Sequence, residues 1–273
     1  MAEPKHAAQP SRGPEGEWDA ALYLRFEAER TQPARDLLAR LHGWPRRVVD
    51  LGCGPGTSTR LIVERFPEAE VVGVDNSAAM LAEARRGLPG VRFERADIAE
   101  WAPDEAPDLI FANDSLQWLP DHERLFARLI AALAPGGALA VQMPDTRHEP
   151  SHALMRLIAA DGPWTDRLVP IAKTSTVIAT HIDYLGWLKP HCAAVDIWQT
   201  TYMHLMAGVG AVVDWFRGAA LRPFLAPLAT HERALFLDRY QRELADAYDA
   251  DPDGGLVFLY PRLFIHARKG ARR

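Results

Sequence analysis

The stretch Arg47-Val48-Val49-Asp50-Leu51-Gly52-Cys53-Gly54-Pro55-Gly56 decides the fold. A short aliphatic run enters a turn with glycine at every second position, and residues 58–66 then carry apolar side chains at helical spacing. Strand, glycine turn and helix form a nucleotide-type unit. Glycine lets the backbone approach a ligand with no Cβ in the way, and the helix start offers N–H groups. In an open α/β sheet such a ligand lies at the carboxyl ends of the strands. A dinucleotide fingerprint G-x-G-x-x-G counted from Gly52 requires a third glycine at position 57, where Thr57 stands; the glycine is Gly56 instead. Asp75 closes the next apolar run, where a carboxylate can accept from both hydroxyls of a ribose.

Outward from this unit, the pattern alternates between strand and helix from residue 18 to about 145. Residues 18–41 read as a helix with a break at Pro33. Strands follow at 47–51, 70–75, 91–94, 108–112 and 138–143, with helices at 58–66, 78–87 (capped by Ser77) and 123–133. Helices are expected near 151–161 and 183–190, a sixth strand at 194–202, two or three helices over 210–250 and a last strand at 256–267, while 162–181 carries no clear pattern. The expected fold is α/β: a Rossmann-like, mostly parallel seven-stranded sheet with helices on both faces. Residues 1–17 read as a disordered tail and 18–273 as one domain. Its ligand-binding core is at about 40–145, and helical insertions at about 150–190 and 208–252 cap the substrate.

The chain has 273 residues and a net charge of −5. That balance lacks the basic excess of general nucleic-acid or membrane-surface binders. Two cysteines, one of them inside the glycine loop, make no disulfide framework. With no secretory signal and no apolar run of membrane-spanning length, the expectation is a cytosolic protein, monomer or homodimer.

At this point the sequence resembles the class I S-adenosyl-L-methionine-dependent methyltransferase family. The motifs run in order: residues 48–56, Val74-Asp75, Ala96-Asp97-Ile98, Phe111-Ala112-Asn113 followed by Ser115-Leu116-Gln117-Trp118-Leu119, and Leu133-Ala134-Pro135-Gly136-Gly137. The resemblance implies S-adenosyl-L-methionine as cofactor. By that resemblance Asp50 orients the methionine ammonium, directly or through water, and Gly52, Gly54 and Gly56 line the methionine and ribose. Asp75 with Asn76 holds the ribose diol, Asp97 and the Ile98 backbone meet the adenine, and the Asn113 carbonyl accepts from the ammonium. Met80 is placed either near the adenine or in the helix core. Tyr23 and Arg30 join this set from the N-terminal helix.

Further segments look like the trans-aconitate 2-methyltransferase family: residues 18–26 with Glu29-Arg30, 115–122, 141–145, 195–198, 218–223 and 258–264; residues 162–188 match least. The resemblance implies formation of a methyl ester on a small polycarboxylic acid. A carboxylate nucleophile, with a free pKa near 4, is ionised at neutral pH and needs no general base. The carboxylates that do not react need anchoring, for which arginine is suited. Arg25, Arg217, Arg222 and Arg262 are the substrate candidates, each equally readable as a surface residue. Trp118, His122 and Tyr202 are candidate cavity walls, each equally readable as core. Arg30 and Trp215 are weighed with them, and His181 more weakly. Another small-molecule O- or N-methyltransferase, an NAD-dependent oxidoreductase (disfavoured by Thr57) and a non-enzymatic cofactor-binding protein are the alternatives.

His148-Glu149-Pro150-Ser151-His152 matches the zinc-protease motif H-E-x-x-H letter for letter. That chemistry needs both histidines on one helical face, and Pro150 places the helix start between them. No metal is expected.

Overall fold

The computed structural model describes residues 26–174 and 178–271; the expected tail, Tyr23 and Arg25 lie outside the described residues. Its sheet contains β1 (Arg47–Leu51), β2 (Glu70–Asp75), β3 (Arg92–Arg95), β4 (Leu109–Asn113), β5 (Ala138–Pro144), β6 (Cys192–Met206) and β7 (Leu256–Lys269) in the order β3-β2-β1-β4-β5-β7-β6. β1 to β5 pair in parallel, and β7 enters antiparallel between β5 and β6. The order reverses between β1 and β4, which opens a crevice at their carboxyl ends.

Helices cover both faces. On one, α1 (Glu27–Ala39) and α2 (Thr57–Arg65) pack Leu37, Leu38, Leu61 and Ile62 against Val48, Phe111, Ala140 and Phe264. On the other, α4 (His122–Ala132) and α7 (His181–Leu188) pack Phe126, Leu129, Tyr184 and Leu188 against Ile110, Val141 and Ile265. α3 (Ala78–Gly87) follows β2 and starts on Ser77, whose Oγ accepts from the Met80 N–H at 3.3 Å.

β6 and β7 pair from Cys192↔Lys269 to Met206↔Leu256, so their far ends run past the sheet as a two-stranded ribbon. Between them stand α8 (Val209–Arg217), α9 (Arg222–Leu225) and α10 (Thr230–Ala247). These pack on α5 (Pro150–Ala159) and α6 (Thr165–Thr174) in a separate apolar cluster built on Trp164, Trp215, Phe216, Phe236 and Tyr240 with Phe258 of β7. Arg167 of α6 ties this cluster together by pairing with Glu232 of α10 through Nη1 at 2.9 Å.

Two expectations need correction. Pro33 does not break its helix: it is buried inside α1, where Ala34, Leu37 and Leu38 dock on the sheet and packing outweighs one lost backbone hydrogen bond. The two strands at the carboxyl end are longer than expected, Cys192–Met206 and Leu256–Lys269, because they pair with each other beyond the end of β5. Among the described residues, no helix is long and apolar enough to cross a membrane.

Candidate active site

The glycine loop leaves β1 through three left-handed positions, Gly52 (φ +75°), Gly54 (φ +53°) and Gly56 (φ +89°). At Gly52 a Cβ would stand 2.2 Å from the Ser115 Cβ, so only glycine fits there. A Cβ on Gly54 would meet nothing within 4 Å, so this backbone faces open space. Gly56 forms the left-handed cap of α2. The Ser115 hydroxyl donates to the Leu51 carbonyl at 2.7 Å and fastens the segment after β4 to the loop.

Two acids flank this loop. Asp75 accepts the Gly54 N–H on one oxygen (2.9 Å) and the Ser77 N–H on the other (2.8 Å). The carboxylate is thereby fixed at the loop, and each oxygen keeps a lone pair for a diol. Burial raises its pKa. Asp50 is fully buried, and its Oδ2 accepts the hydroxyls of Ser58 (2.7 Å) and Thr59 (2.6 Å). Its Oδ1 has no hydrogen-bond partner among the described residues, and burial pushes the carboxyl up to about 6. A buried acid with one unbonded oxygen, an open glycine backbone and a fixed second acid fit a ligand carrying an ammonium and vicinal hydroxyls.

The neighbouring loop is shaped by Arg128 of α4, which donates to the carbonyls of Ile98 (2.5 Å) and Trp101. Asp97 accepts the Ala99 N–H at 2.8 Å, and the half-buried Ile98 points its Cδ1 at Gly52. Asn76 is exposed, with its carbonyl accepting from Arg95; Met80 is buried in α3. Asn113 ends β4, and its Oδ1 is buried without a hydrogen-bond partner among the described residues. Cys53 lies in the loop but is 3 % exposed, and burial raises its thiol far above the ordinary range, so it is no nucleophile.

Beyond Asn113 the chain turns through Asp114 in a left-handed conformation (φ +56°). Its carboxylate receives Arg262 Nη1 at 3.1 Å and Gln117 Nε2 at 2.9 Å, and Arg30 Nη1 stands 3.9 Å from its other oxygen. Arg262 comes from β7 opposite Pro144 and is 1 % exposed; Arg30 comes from α1, donates to the Trp215 carbonyl (3.0 Å) and covers the Trp215 ring. The structure thus brings Arg30, expected with the cofactor set, together with Arg262, expected with the substrate set. His204 of β6 sits beside Trp215 and Tyr260, 8 % exposed, with Nε2 unbonded; burial foremost, and then the nearby Arg262, lower its pKa to about 4.

Other expected residues stand apart from this cluster. Arg217 is exposed at the end of α8 and pairs with Asp214. Arg222 is half-buried in α9. The Tyr202 hydroxyl donates to Asp36 of α1 at 2.5 Å. Trp118 is half-buried in the 3-10 turn Leu116–Trp118, and His181 is exposed at the start of α7. His122 is buried and held by the Tyr184 hydroxyl (2.5 Å) and the Leu116 carbonyl (3.0 Å), which makes it a clasp between α4 and α7. α5 begins at Pro150 and leaves His148 in the preceding loop. Asp114, Gln142, Ser58, Thr59 and Arg128 were not foreseen. A lone acid after β4 and a lone glutamine within apolar β5 were the signals available for the first two.

A sequence profile described as a methyltransferase domain matches residues 48–137, from β1 to the turn before β5. The Haemonchus contortus phosphoethanolamine N-methyltransferase 2, solved in complex with S-adenosyl-L-methionine, has the same fold at TM-score 0.57 and 17% identity, covering 92% of this chain and 56% of that one. Fold, loop and profile define a class I S-adenosyl-L-methionine-dependent methyltransferase. A trans-aconitate 2-methyltransferase of Methylobacterium nodulans is 55% identical over 93% of this chain and 98% of its own, and one of Acidovorax ebreus is 52% identical over the same shares. The chain belongs to the trans-aconitate 2-methyltransferase family.

Proposed function

We propose that this chain transfers a methyl group from S-adenosyl-L-methionine to a carboxylate oxygen of trans-aconitate, giving a monomethyl ester. The observation that carries the acceptor is the 55% identity to a relative of that name across nearly the whole of both chains. When bound, the cofactor supplies an electrophilic methyl on a sulfonium. Asp75 holds the ribose diol, with Asn76 beside it; Gly52, Gly54 and Gly56 line the methionine and ribose; and Asp50 and the Asn113 carbonyl serve the ammonium. Asp97, Ile98 and Met80 enclose the adenine.

The chemistry asks little acid–base work of the protein. An ionised carboxylate is already nucleophilic, and the one buried histidine of α4 is engaged by Tyr184 and Leu116. Positioning and exclusion of water remain, because a cation and an anion are consumed to neutral products. We read α5 and α6 with the helices at 208–252 as the cap that excludes water; α7, the last part of the expected 150–190 insertion, packs on the sheet instead. On composition, the reading extends to a cytosolic enzyme with no nucleic-acid or membrane partner.

Labelled S-adenosyl-L-methionine with a panel of carboxylic acids tests this. A base-labile methyl ester on trans-aconitate is expected. Transfer to an amine or hydroxyl acceptor, with none to any polycarboxylic acid, overturns it.

A further inference from the structure

We propose that the side-on edge of Arg262, its Nε and Nη2, is the anchor for a carboxylate of the acceptor that is not methylated. This rests on the polycarboxylate reading above and names the group that recognises such an acceptor.

The guanidinium of Arg262 is engaged at one end only. Nη1 donates to Asp114 at 3.1 Å and approaches Gln142 Oε1 at 3.4 Å, whereas Nε and Nη2 are buried and have no hydrogen-bond partner among the described residues. Those two nitrogens form the parallel fork that fits a carboxylate. The same chain shows the fit at Arg147, whose Nε and Nη2 meet the two oxygens of Asp145 at 2.9 and 2.8 Å. An unbonded buried N–H is costly, and a charged one more so, so an arginine sealed in for packing alone would not leave its fork unbonded. The ring of Tyr260, with Cζ 4.6 Å from its centroid, attracts the charge but supplies no hydrogen-bond acceptor oxygen to Nε or Nη2.

The place is suited to the reaction. Asp114 follows Asn113 at the end of β4, its neighbour Ser115 is bonded to Leu51 before the glycine loop, and Arg262 pairs with Pro144 at the end of β5, so Arg262 stands at the carboxyl ends of the strands. Asp114 is a positioning residue: it takes one end of Arg262 and aims the other. An anchor for a spectator carboxylate binds the acceptor without stabilising the oxygen that attacks, which keeps that oxygen nucleophilic. Arg262 is 1 % exposed, so an acceptor reaches it only when the covering pieces part. Among the described residues, Tyr260 stands against its guanidinium and Arg30 stands at the other oxygen of Asp114.

The test is Arg262→Lys, which keeps the charge and loses the fork. Calorimetric titration of trans-aconitate into the protein with bound S-adenosylhomocysteine should show affinity at least about tenfold weaker than wild type, with KM for trans-aconitate raised to match. Affinity for S-adenosylhomocysteine should hold. A folded variant with wild-type affinity and KM for trans-aconitate overturns the proposal. A measurement on the unmutated protein stands beside it: in 15N-arginine-labelled enzyme, tricarballylate should shift an Nε–H resonance downfield, and saturation with no arginine perturbed is equally fatal. If no acid is methylated yet the tricarboxylate still moves that resonance, the acceptor reading falls and the fork survives.

Discussion

Arg262 and Asp114, 148 positions apart in sequence, meet at 3.1 Å beside the carboxyl end of β4. The contact joins the last strand of the fold to the turn that follows β4. It therefore couples the half of the molecule that holds the methyl donor to the half that carries the helical insert.

Asp75 should dominate cofactor binding. Removing its carboxylate strands the ribose hydroxyls and also frees the Gly54 N–H that it holds at 2.9 Å. Asp75→Ala should weaken S-adenosyl-L-methionine binding by more than about tenfold in calorimetry. Unchanged affinity would remove the ribose assignment.

This much was legible in sequence because it is local. The glycines, Asp75 and the Ser77 cap are set by the conformation of one strand–turn–helix and its successor, which short-range pattern encodes. Arg262 was legible only as one arginine among several. Its significance depends on Asp114 and Gln142, which only the folded sheet brings near. A signal was present: Arg262 is a lone charge in the run Leu259-Tyr260-Pro261-Arg262-Leu263-Phe264. Arg217 shows the reverse error of weighting by neighbourhood, since the segment beside it resembles the family while its side chain turns out to solvent and Asp214. Pro33 shows propensity overruled by a buried helix face.

Asp50 should make cofactor binding depend on pH. Burial raises its pKa from the ordinary 3.8 to about 6, so between those values the folded protein holds a proton that the unfolded chain lacks. The free protein therefore gains stability from this group as pH falls toward 4 and loses it above about 6. Binding an ammonium favours the ionised form, so affinity should fall as pH drops through 6. Asp50→Asn should flatten that profile and weaken binding at least about tenfold, while stabilising the free protein at pH 7 by at most about 3 kcal/mol. A variant with the wild-type pH profile of binding would refute the coupling.

His204 should act in the opposite sense. Its folded pKa, about 4, lies below the ordinary 6.5, so the unfolded chain takes up a proton first as pH falls. The stability it contributes is complete above 6.5 and is lost toward pH 4. His204→Phe should reduce the loss in urea stability between pH 7 and 4.5 by something on the order of 1 kcal/mol, allowing for partial solvent screening. An identical loss in variant and wild type would show that the imidazole does not govern this acid limb.

Met206 and Leu256, the last residues of β6 and the first of β7, are strand partners. The helices α8 to α10 therefore leave and re-enter the sheet at one point, and residues 207–255 form a cassette with adjoining ends. Such a cassette can be exchanged between relatives without altering a single residue of the glycine loop, Asp75 or β4. Replacement of this module would change the cover packed on α5 and α6 while leaving Arg262, Asp114 and the glycine loop in place.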